Sequence, residues 1–344
     1  MAYNPLSLAP IRAINPSILA DTEPDHRFLI DQVALDTPIG EDEVRGQIPR
    51  LSRRIQMGAP SLALRTADSA AAPMIGEVDP DFVNYDITEP LRARARTLYR
   101  EVGNNQIKLL QVREGKARSA MNACRMQLEV EWAGALVNPA NWNNVGTVNT
   151  STLAALVGGS GAQIGAAGAT EFTDLRVAAD IAADTSGGAM PTGVMFGIAA
   201  WRALKNTIEF GTFGNTTTNR FTLPDDQLMD LVRQHVGVDE VHVHQVRRET
   251  AAPLVASVEA YIVNEQIVFY YREGPIGRNT SAHIRVSGPT GSDIQTVAQD
   301  NWTEGDGTRS WDDEVALFQG SVLVGQHGDA ARISLGYLLT DTVP

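Results

Sequence analysis

The strongest constraint on the fold is a stripe of apolar residues that recurs every three or four positions in the first half of the chain. This spacing places side chains on one face of an α-helix. We predict helix through residues 91–137, interrupted at Gly103 and Gly115, with about six continuous turns from Lys116 onward and an end at Pro139. The residues expected to form the buried face of this helix are Met121, Cys124, Leu128 and Trp132.

Two segments before this helix have too little regular apolar patterning to fold as domains of their own. Residues 1–35 carry prolines between short apolar runs, and we predict an arm that packs on something else, such as a neighbouring copy. Residues 36–88 run outward and back as a β-hairpin-like extended loop. Three apolar residues on its outgoing leg are expected to make intersubunit contacts: Leu51, Ile55 and Met57.

Helical and strand patterns alternate in the centre of the chain. After a Gly-rich loop at 140–170 with one short helix at 152–157, we predict helices at 172–183, 199–206 and 224–236, strands at 192–196 and 238–246, and a hairpin of 255–263 with 266–272. Strand patterns follow at 284–286, 315–318, 322–324 and 331–339. An α/β centre flanked by a helix and by strands indicates the α+β class.

Composition excludes several classes of protein. The formal net charge of −13 argues against tight phosphate binding over the whole surface, although an acidic wall is compatible with enclosing DNA. The single cysteine, Cys124, excludes an intrachain disulfide and a cysteine metal cluster, and it suits a reducing cytoplasm. Residues 1–14 lack the pattern of a signal peptide and no apolar run is long enough to cross a bilayer, so we expect neither export by a sequence signal nor a membrane partner.

Four groups of residues resemble reactive or binding sites. His242 and His244 share one face of a predicted strand but lack a third zinc ligand, and the glycines of 158–165 do not have the spacing of a phosphate-binding loop. The acidic run 312–314 is best explained as a solvated turn. The basic cluster of Arg92, Arg94, Arg96 and Arg100 fits either a solvated helix face or an interface with DNA, a scaffold or an acidic neighbour. We therefore predict no catalytic, cofactor or metal site.

Four stretches together resemble the major capsid proteins of tailed bacteriophages, which have the Hong Kong 97-like fold. The excursion at 36–88 resembles the extended loop of that family, and the helix that ends in Leu128–Leu136 resembles its spine helix. Met190–Leu204 is similar to the strand and helix of the axial domain, and Val322–Leu339 to the last strands of the peripheral domain. The order of these segments covers nearly the whole chain.

This resemblance implies a division of the chain into five parts. They are an N-terminal arm at 1–35, an extended loop at 36–88, a peripheral domain with the spine helix at 89–140, an axial domain at 141–282, and the C-terminal strands of the peripheral domain at 283–344. Within the arginine cluster, we predict intersubunit contacts for Arg92, Arg94 and Arg96.

The function implied by the resemblance is a structural one. The chain would assemble into hexamers and pentamers that form an icosahedral head around double-stranded DNA, without sequence-specific DNA binding. It would reside in the virion, and in the host cytoplasm during assembly. A separate scaffolding protein and a portal would be partners, and a decoration protein is a further candidate. Some family members crosslink through a lysine in the extended loop, but 36–88 contains no lysine, so that chemistry is expected to be absent.

Three other interpretations stay open. An encapsulin-like shell around a protein cargo has the same fold, and a cargo-binding groove would distinguish it. An α/β enzyme using residues 171–272 would require a polar catalytic site. A phage tail or adhesin protein is disfavoured, because such proteins are mostly β and this chain has a long helix and an α/β centre.

Overall fold

The fold was taken from a computed structural model of the chain. It describes residues 14–20, 28–49, 82–98, 101, 106–144, 147–166, 168–186, 188–210, 224–249, 258–274, 277–288, 291–303, 308–324 and 335–344. The helices are α1 (Pro16–Ala20), α2 (Ile30–Val33), α3 (Gln106–Leu136), α4 (Glu171–Thr185), α5 (Ile198–Phe210) and α6 (Asp225–Val232). Short 3-10 turns lie at Pro139–Asn141 and Leu153–Ala155, and α6 continues into a wider turn at Arg233–Gly237.

A five-stranded sheet forms the centre of the molecule. In spatial order its strands are β7 (Thr150–Thr152), β17 (Tyr337–Thr340), β12 (Ile267–Tyr270), β8 (Gly193–Gly197) and β9 (Glu240–His244). β8 and β9 are parallel, whereas β12 runs antiparallel to both β8 and β17. Helices α4, α5 and α6 bury one face of this sheet, and α2 and the C-terminal half of α3 bury the other. Every residue of β8 is buried, as expected for an apolar strand covered on both faces.

A second sheet packs on the N-terminal half of α3. Its strands, in spatial order, are β14 (Ile294–Thr303), β15 (Thr308–Leu317) and β4 (Leu91–Leu98), all antiparallel. The apolar cluster between sheet and helix includes Ala95, Met121, Cys124 and Val315. Leu19 of α1 also belongs to this cluster and is fully buried. The described part of the predicted arm therefore packs on its own chain.

A third sheet carries the base of the extended loop. Its strands are β1 (Leu35–Ile39), β13 (Ala282–Val286) and β16 (Gln319–Val322), with β1 parallel and β16 antiparallel to β13. The chain then leaves through β2 (Arg45–Pro49) and returns through β3 (Phe82–Asp86), which pair antiparallel. The remaining two-stranded pairs are β5 (Asn143–Asn144) with β6 (Thr147–Val148), and β10 (Arg247–Glu249) with β11 (Glu259–Tyr261).

The prediction of helix at 91–98 was wrong. These residues form β4, in which arginine and alanine alternate with period two, so that the alanines face α3 and the arginines face outward. Gly115 does not interrupt the helix, and α3 extends without a break over 31 residues.

One predicted pairing of the C-terminal half was also wrong. Residues 259–261 and 267–270 do not form a hairpin with each other, because β11 pairs with β10 while β12 pairs with β8 and β17. The predicted closing strand is present as β17, which lies in the central sheet between β7 and β12. Residues 331–334 of that predicted strand lie outside the described residues. The division of the chain into five parts stays a prediction.

Gly336, just before β17, has a backbone conformation that other residues adopt only with strain. Its φ is +113°, and a Cβ at this position would collide with the carbonyl oxygen of Phe269. We expect Gly336→Ala to lower the free energy of unfolding by about 2 kcal/mol or more. Gly115→Ala is the matched control, because nothing lies within 4 Å of a Cβ added there. It should leave stability unchanged or raise it by about 0.5–1 kcal/mol. If urea denaturation gave the same change in the free energy of unfolding for Gly336→Ala and Gly115→Ala, the strain assigned to Gly336 would be contradicted.

Candidate assembly surfaces

The stripe on α3 connects two sheets. Met121, Cys124, Leu128 and Trp132 are 0%, 3%, 3% and 1% exposed. Met121 and Cys124 pack against β4 and β15, whereas Leu128 and Trp132 pack against the central sheet. The Trp132 Nε1–H donates to Ser281 Oγ at 3.1 Å, so the polar atom of this buried ring is satisfied. One helix face thus fixes the two sheets relative to each other.

The burial of Cys124 predicts a chemically inert thiol. Desolvation raises the pKa of the Cys124 thiol to about 11, which reduces the thiolate that reacts with disulfide reagents. At pH 8 we expect Ellman's reagent to label the folded protein at least about a hundredfold more slowly than the protein in denaturing urea. Rapid stoichiometric labelling of the folded protein would mean that the packing between α3 and β4 is wrong.

A buried ion pair joins α3 to the second sheet. The Arg113 guanidinium donates to both carboxylate oxygens of Asp313, with Nε–Oδ2 at 2.9 Å and Nη2–Oδ1 at 2.5 Å. Both side chains are only 4% exposed. The acidic run 312–314 therefore lies in strand β15 and is not a solvated turn. Neighbouring side chains of a strand point to opposite faces, so Asp313 faces α3 while Asp312 and Glu314 face the other way. Sequence reasoning missed this pair because its members are 200 residues apart.

The outward face of β4 carries what we call the arginine ladder: Arg92, Arg94 and Arg96. Arg96 makes a two-pronged contact to Asp312, with Nε–Oδ1 at 2.8 Å and Nη2–Oδ2 at 2.9 Å. Arg92 and Arg94 contact the two oxygens of Glu314 at 3.4 and 3.1 Å. The three arginine side chains remain 62%, 52% and 60% exposed, whereas Asp312 beneath them is 1% exposed. The ladder therefore presents guanidinium groups to solvent on a sheet face, not on the predicted helix face.

The base of the extended loop is the second candidate surface. Tyr85 lies over Gly46 on the paired strand, where a Cβ would come within 2.5 Å of its hydroxyl oxygen. The Tyr85 hydroxyl donates to the Glu43 carbonyl oxygen at 3.1 Å, and Arg45 pairs with Asp86 at 2.8 Å. Hydrogen bonds from Thr88, and to a lesser extent Arg45, hold the pKa of Asp86 below its usual range. The predicted contact residues Leu51, Ile55 and Met57 lie outside the described residues.

The Gly-rich loop that resembled a phosphate site has a structural role. Asp174 of α4 is 2% exposed and accepts hydrogen bonds from the Ser160 backbone amide and hydroxyl, both at 2.6 Å. Gln163 donates through its side-chain amide to the carbonyl oxygens of Asp341 and Val343, and the Ile164 amide donates to Thr342. The loop therefore holds the C-terminal residues against the central sheet.

The two histidines of β9 do not form a metal site with each other. His244 is buried and its Nε2 lies 2.9 Å from Glu129, whereas His242 is partly exposed beside Glu240. Desolvation, only partly offset by Glu240, lowers the pKa of His242. Within the described ranges, no group of three or more His, Cys, Asp or Glu side chains is placed to hold a metal ion. No helix in the described part of the chain is long and apolar enough to span a bilayer.

Sequence comparison finds no relative, because no family model matches the chain and no curated protein is significantly similar to it. Structural comparison gives a different result. A phage-related protein from Bordetella bronchiseptica RB50 is 14% identical and superposes with a TM-score of 0.60, over 95% of this chain and 96% of its own. The two proteins share one fold. The predicted α+β class is confirmed by the mixed sheets and helices of the described residues.

Weaker structural similarity extends to two kinds of shell. The capsid of Ralstonia phage GP4 is 9% identical, with a TM-score of 0.43 over 92% of this chain and 89% of its own. An encapsulin complex from Synechococcus elongatus PCC 7942 is 10% identical, with a TM-score of 0.38 over 99% and 93%.

Proposed function

We propose that this chain is the major capsid protein of a tailed bacteriophage, a structural subunit and not an enzyme. The end-to-end similarity in fold to the phage-related protein of Bordetella bronchiseptica carries the proposal. The base of the extended loop supports it, because β2 and β3 pair with each other and pack on the third sheet through Ile48 and Tyr85. The chain between them, residues 50–81, is the part that we propose reaches a neighbouring subunit.

In the proposed assembly, identical subunits form hexamers and pentamers of an icosahedral head around double-stranded DNA. Residues 141–282, together with β17, form the axial domain at the ring centre. Residues 89–140 and most of 283–324 form the peripheral domain at the rim, and the loop 36–88 reaches a neighbouring subunit. The net charge of −13 fits a wall that encloses DNA without binding it tightly. A separate scaffolding protein, a portal and a decoration protein are the proposed partners, and the virion is the proposed location, after assembly in the host cytoplasm.

Sedimentation velocity of the full-length protein over a wide range of concentrations tests the proposal. We expect discrete species of many subunits, because permanent interfaces of exchanged arms and loops commonly bury more than about 2,000 Å². A particle containing nucleic acid would favour the phage head, and one containing a protein cargo would favour an encapsulin-like shell. A monomer or dimer at every concentration, also with a candidate scaffold, would contradict both.

The arginine ladder provides a residue-level prediction of the same proposal. We expect replacement of Arg92 and Arg94 by glutamine to reduce the assembled fraction strongly. The stability of the subunit itself should change little, because both guanidinium groups are more than half exposed and exposed ion pairs contribute at most about 1 kcal/mol each. Arg96 is left in place, because its partner Asp312 is 1% exposed and would lose a two-pronged contact. The control is Arg45→Gln, whose pair with Asp86 is 70% and 50% exposed. Normal assembly of the double variant would remove Arg92 and Arg94 from the interface.

A further inference from the structure

A buried carboxylate joins three separate parts of the chain. Glu129, on α3, is fully buried. Its Oε1 accepts hydrogen bonds from the Leu29 amide at 3.1 Å and from His244 Nε2 at 2.9 Å, and its Oε2 accepts one from the Ile30 amide at 3.2 Å. The donors belong to residues 28–33, which we call the N-terminal segment, and to strand β9 of the central sheet. Glu129 is therefore the point at which helix, N-terminal segment and central sheet meet.

The N-terminal segment depends on this carboxylate. Helix α2 begins after Leu29, whose side chain cannot cap it, so the first amides of the helix have no local acceptor. Glu129 supplies the acceptor from 99 and 100 residues away. Without it, two backbone N–H groups would be buried without a partner, which is costly.

His244 depends on the same carboxylate. Its side chain is fully buried, and within the described residues its Nδ1 has no hydrogen-bond partner. The orientation of the ring is therefore set by its bond to Glu129 Oε1. Because that oxygen also accepts from Leu29, a change at His244 alters the acceptor that holds the N-terminal segment. Because His244 Nδ1 is unpaired in the described part of the chain, this buried network is only partly satisfied, and its stability depends on the remaining bond to Glu129.

A second polar contact ties the segment to the third sheet. Asp31 of α2 lies 3.0 Å from His283 Nδ1 on strand β13, and His283 Nε2 lies 3.1 Å from Gln319. The same sheet contains β1, which directly follows α2 and leads into the base of the extended loop. The segment therefore lies between two sheets: Glu129 and an apolar cluster hold it to the central sheet, and Asp31 holds it to the sheet that carries the loop.

We propose that Glu129 is a latch that couples the position of β9 in the central sheet to the N-terminal segment 28–33, and through it to the base of the extended loop. The latch acts within one chain and does not require the shell. Its consequence for assembly rests on the proposed function, in which a shift of the axial domain would be transmitted to the loop that reaches a neighbour.

Hydrogen–deuterium exchange of the full-length protein tests the latch. We expect Glu129→Gln and His244→Leu each to accelerate exchange of the Leu29 and Ile30 amides about tenfold or more, because each change removes or displaces the acceptor that the two amides share. Leucine is chosen at position 244 because a glutamine amide could still donate to Glu129 Oε1. His244→Leu is decisive, because His244 has no hydrogen bond to either amide. The double variant should show no further acceleration, since both changes act through one group.

Val241→Ala is the matched control. Val241 is buried on β9 but packs in the cluster on the opposite face of the central sheet, so it loosens the strand without touching Glu129. It should leave the exchange rates of the Leu29 and Ile30 amides unchanged from those of the wild type. The latch is overturned if His244→Leu accelerates exchange only within β9, or if its effect adds fully to that of Glu129→Gln. If Glu129→Gln does not fold, His244→Leu still decides. Shell formation is measured separately, by sedimentation velocity. Failure of the latch in hydrogen–deuterium exchange is therefore distinguishable from failure of the chain to assemble.

Discussion

Replacing Asp313 by alanine should lower the free energy of unfolding by about 3–5 kcal/mol, because the substitution leaves the buried guanidinium of Arg113 without its carboxylate partner. Solvent cannot replace the lost interaction, since both side chains are 4% exposed. The measurement is urea denaturation followed by tryptophan fluorescence and by circular dichroism, with coincident transitions required before a free energy is derived.

Two further variants separate this pair from ordinary surface charge. Arg113→Met combined with Asp313→Leu should restore most of the lost stability, because two apolar side chains leave no buried charge unpaired. Arg45→Ala removes an exposed pair and should cost no more than about 1 kcal/mol. A loss of less than 1 kcal/mol for Asp313→Ala would show that the pair is open to solvent.

Replacing Trp132 by alanine should have an effect of similar size. The ring is 1% exposed and fills the contact between α3 and the central sheet, so its removal leaves a cavity that costs about 3–5 kcal/mol. Trp132→Phe keeps most of the apolar volume but loses the hydrogen bond to Ser281 and should cost much less. Thermal and urea unfolding of the two variants measure the difference.

Leu110→Ala is the control for helix propensity on the same helix. Leu110 is 61% exposed, so its truncation should change the free energy of unfolding by no more than about 0.5 kcal/mol. If Trp132→Ala behaved like Leu110→Ala, α3 would not connect the two sheets and the described packing would be wrong.

Local patterns predicted the elements of the central unit well. Helix α4 was expected at 172–183 and lies at Glu171–Thr185, and β8 was expected at 192–196 and lies at Gly193–Gly197. Gly237 was also predicted to end the helix that starts at 224. The φ of Gly237 is +83°, a conformation that favours glycine and ends the helical turn there. These features depend on residues within a few positions of one another, which is why the sequence reveals them.

Features that depend on distant residues were missed. The segment Leu91–Leu98 contains no glycine or proline and adjoins a helix, which is why helix was predicted there. Its alternating arginines and alanines are a local strand signal that the prediction overlooked, whereas its partner strand β15 lies more than 200 residues later. The same pairing places the arginine ladder next to Asp312 and Glu314 of β15. Glu129 has the appearance of an ordinary polar helix residue, and only the tertiary fold brings His244 and the amides of α2 to it.

Negative-stain electron microscopy of the purified full-length protein, alone and with a candidate scaffolding protein, tests the central claim most directly. If the chain is a shell-building subunit, the images will contain closed shells, tubes, or rings of five or six subunits. Particles no larger than a monomer or dimer, at high concentration and in the presence of the scaffold, would contradict it and direct attention to the central α/β unit as an enzyme.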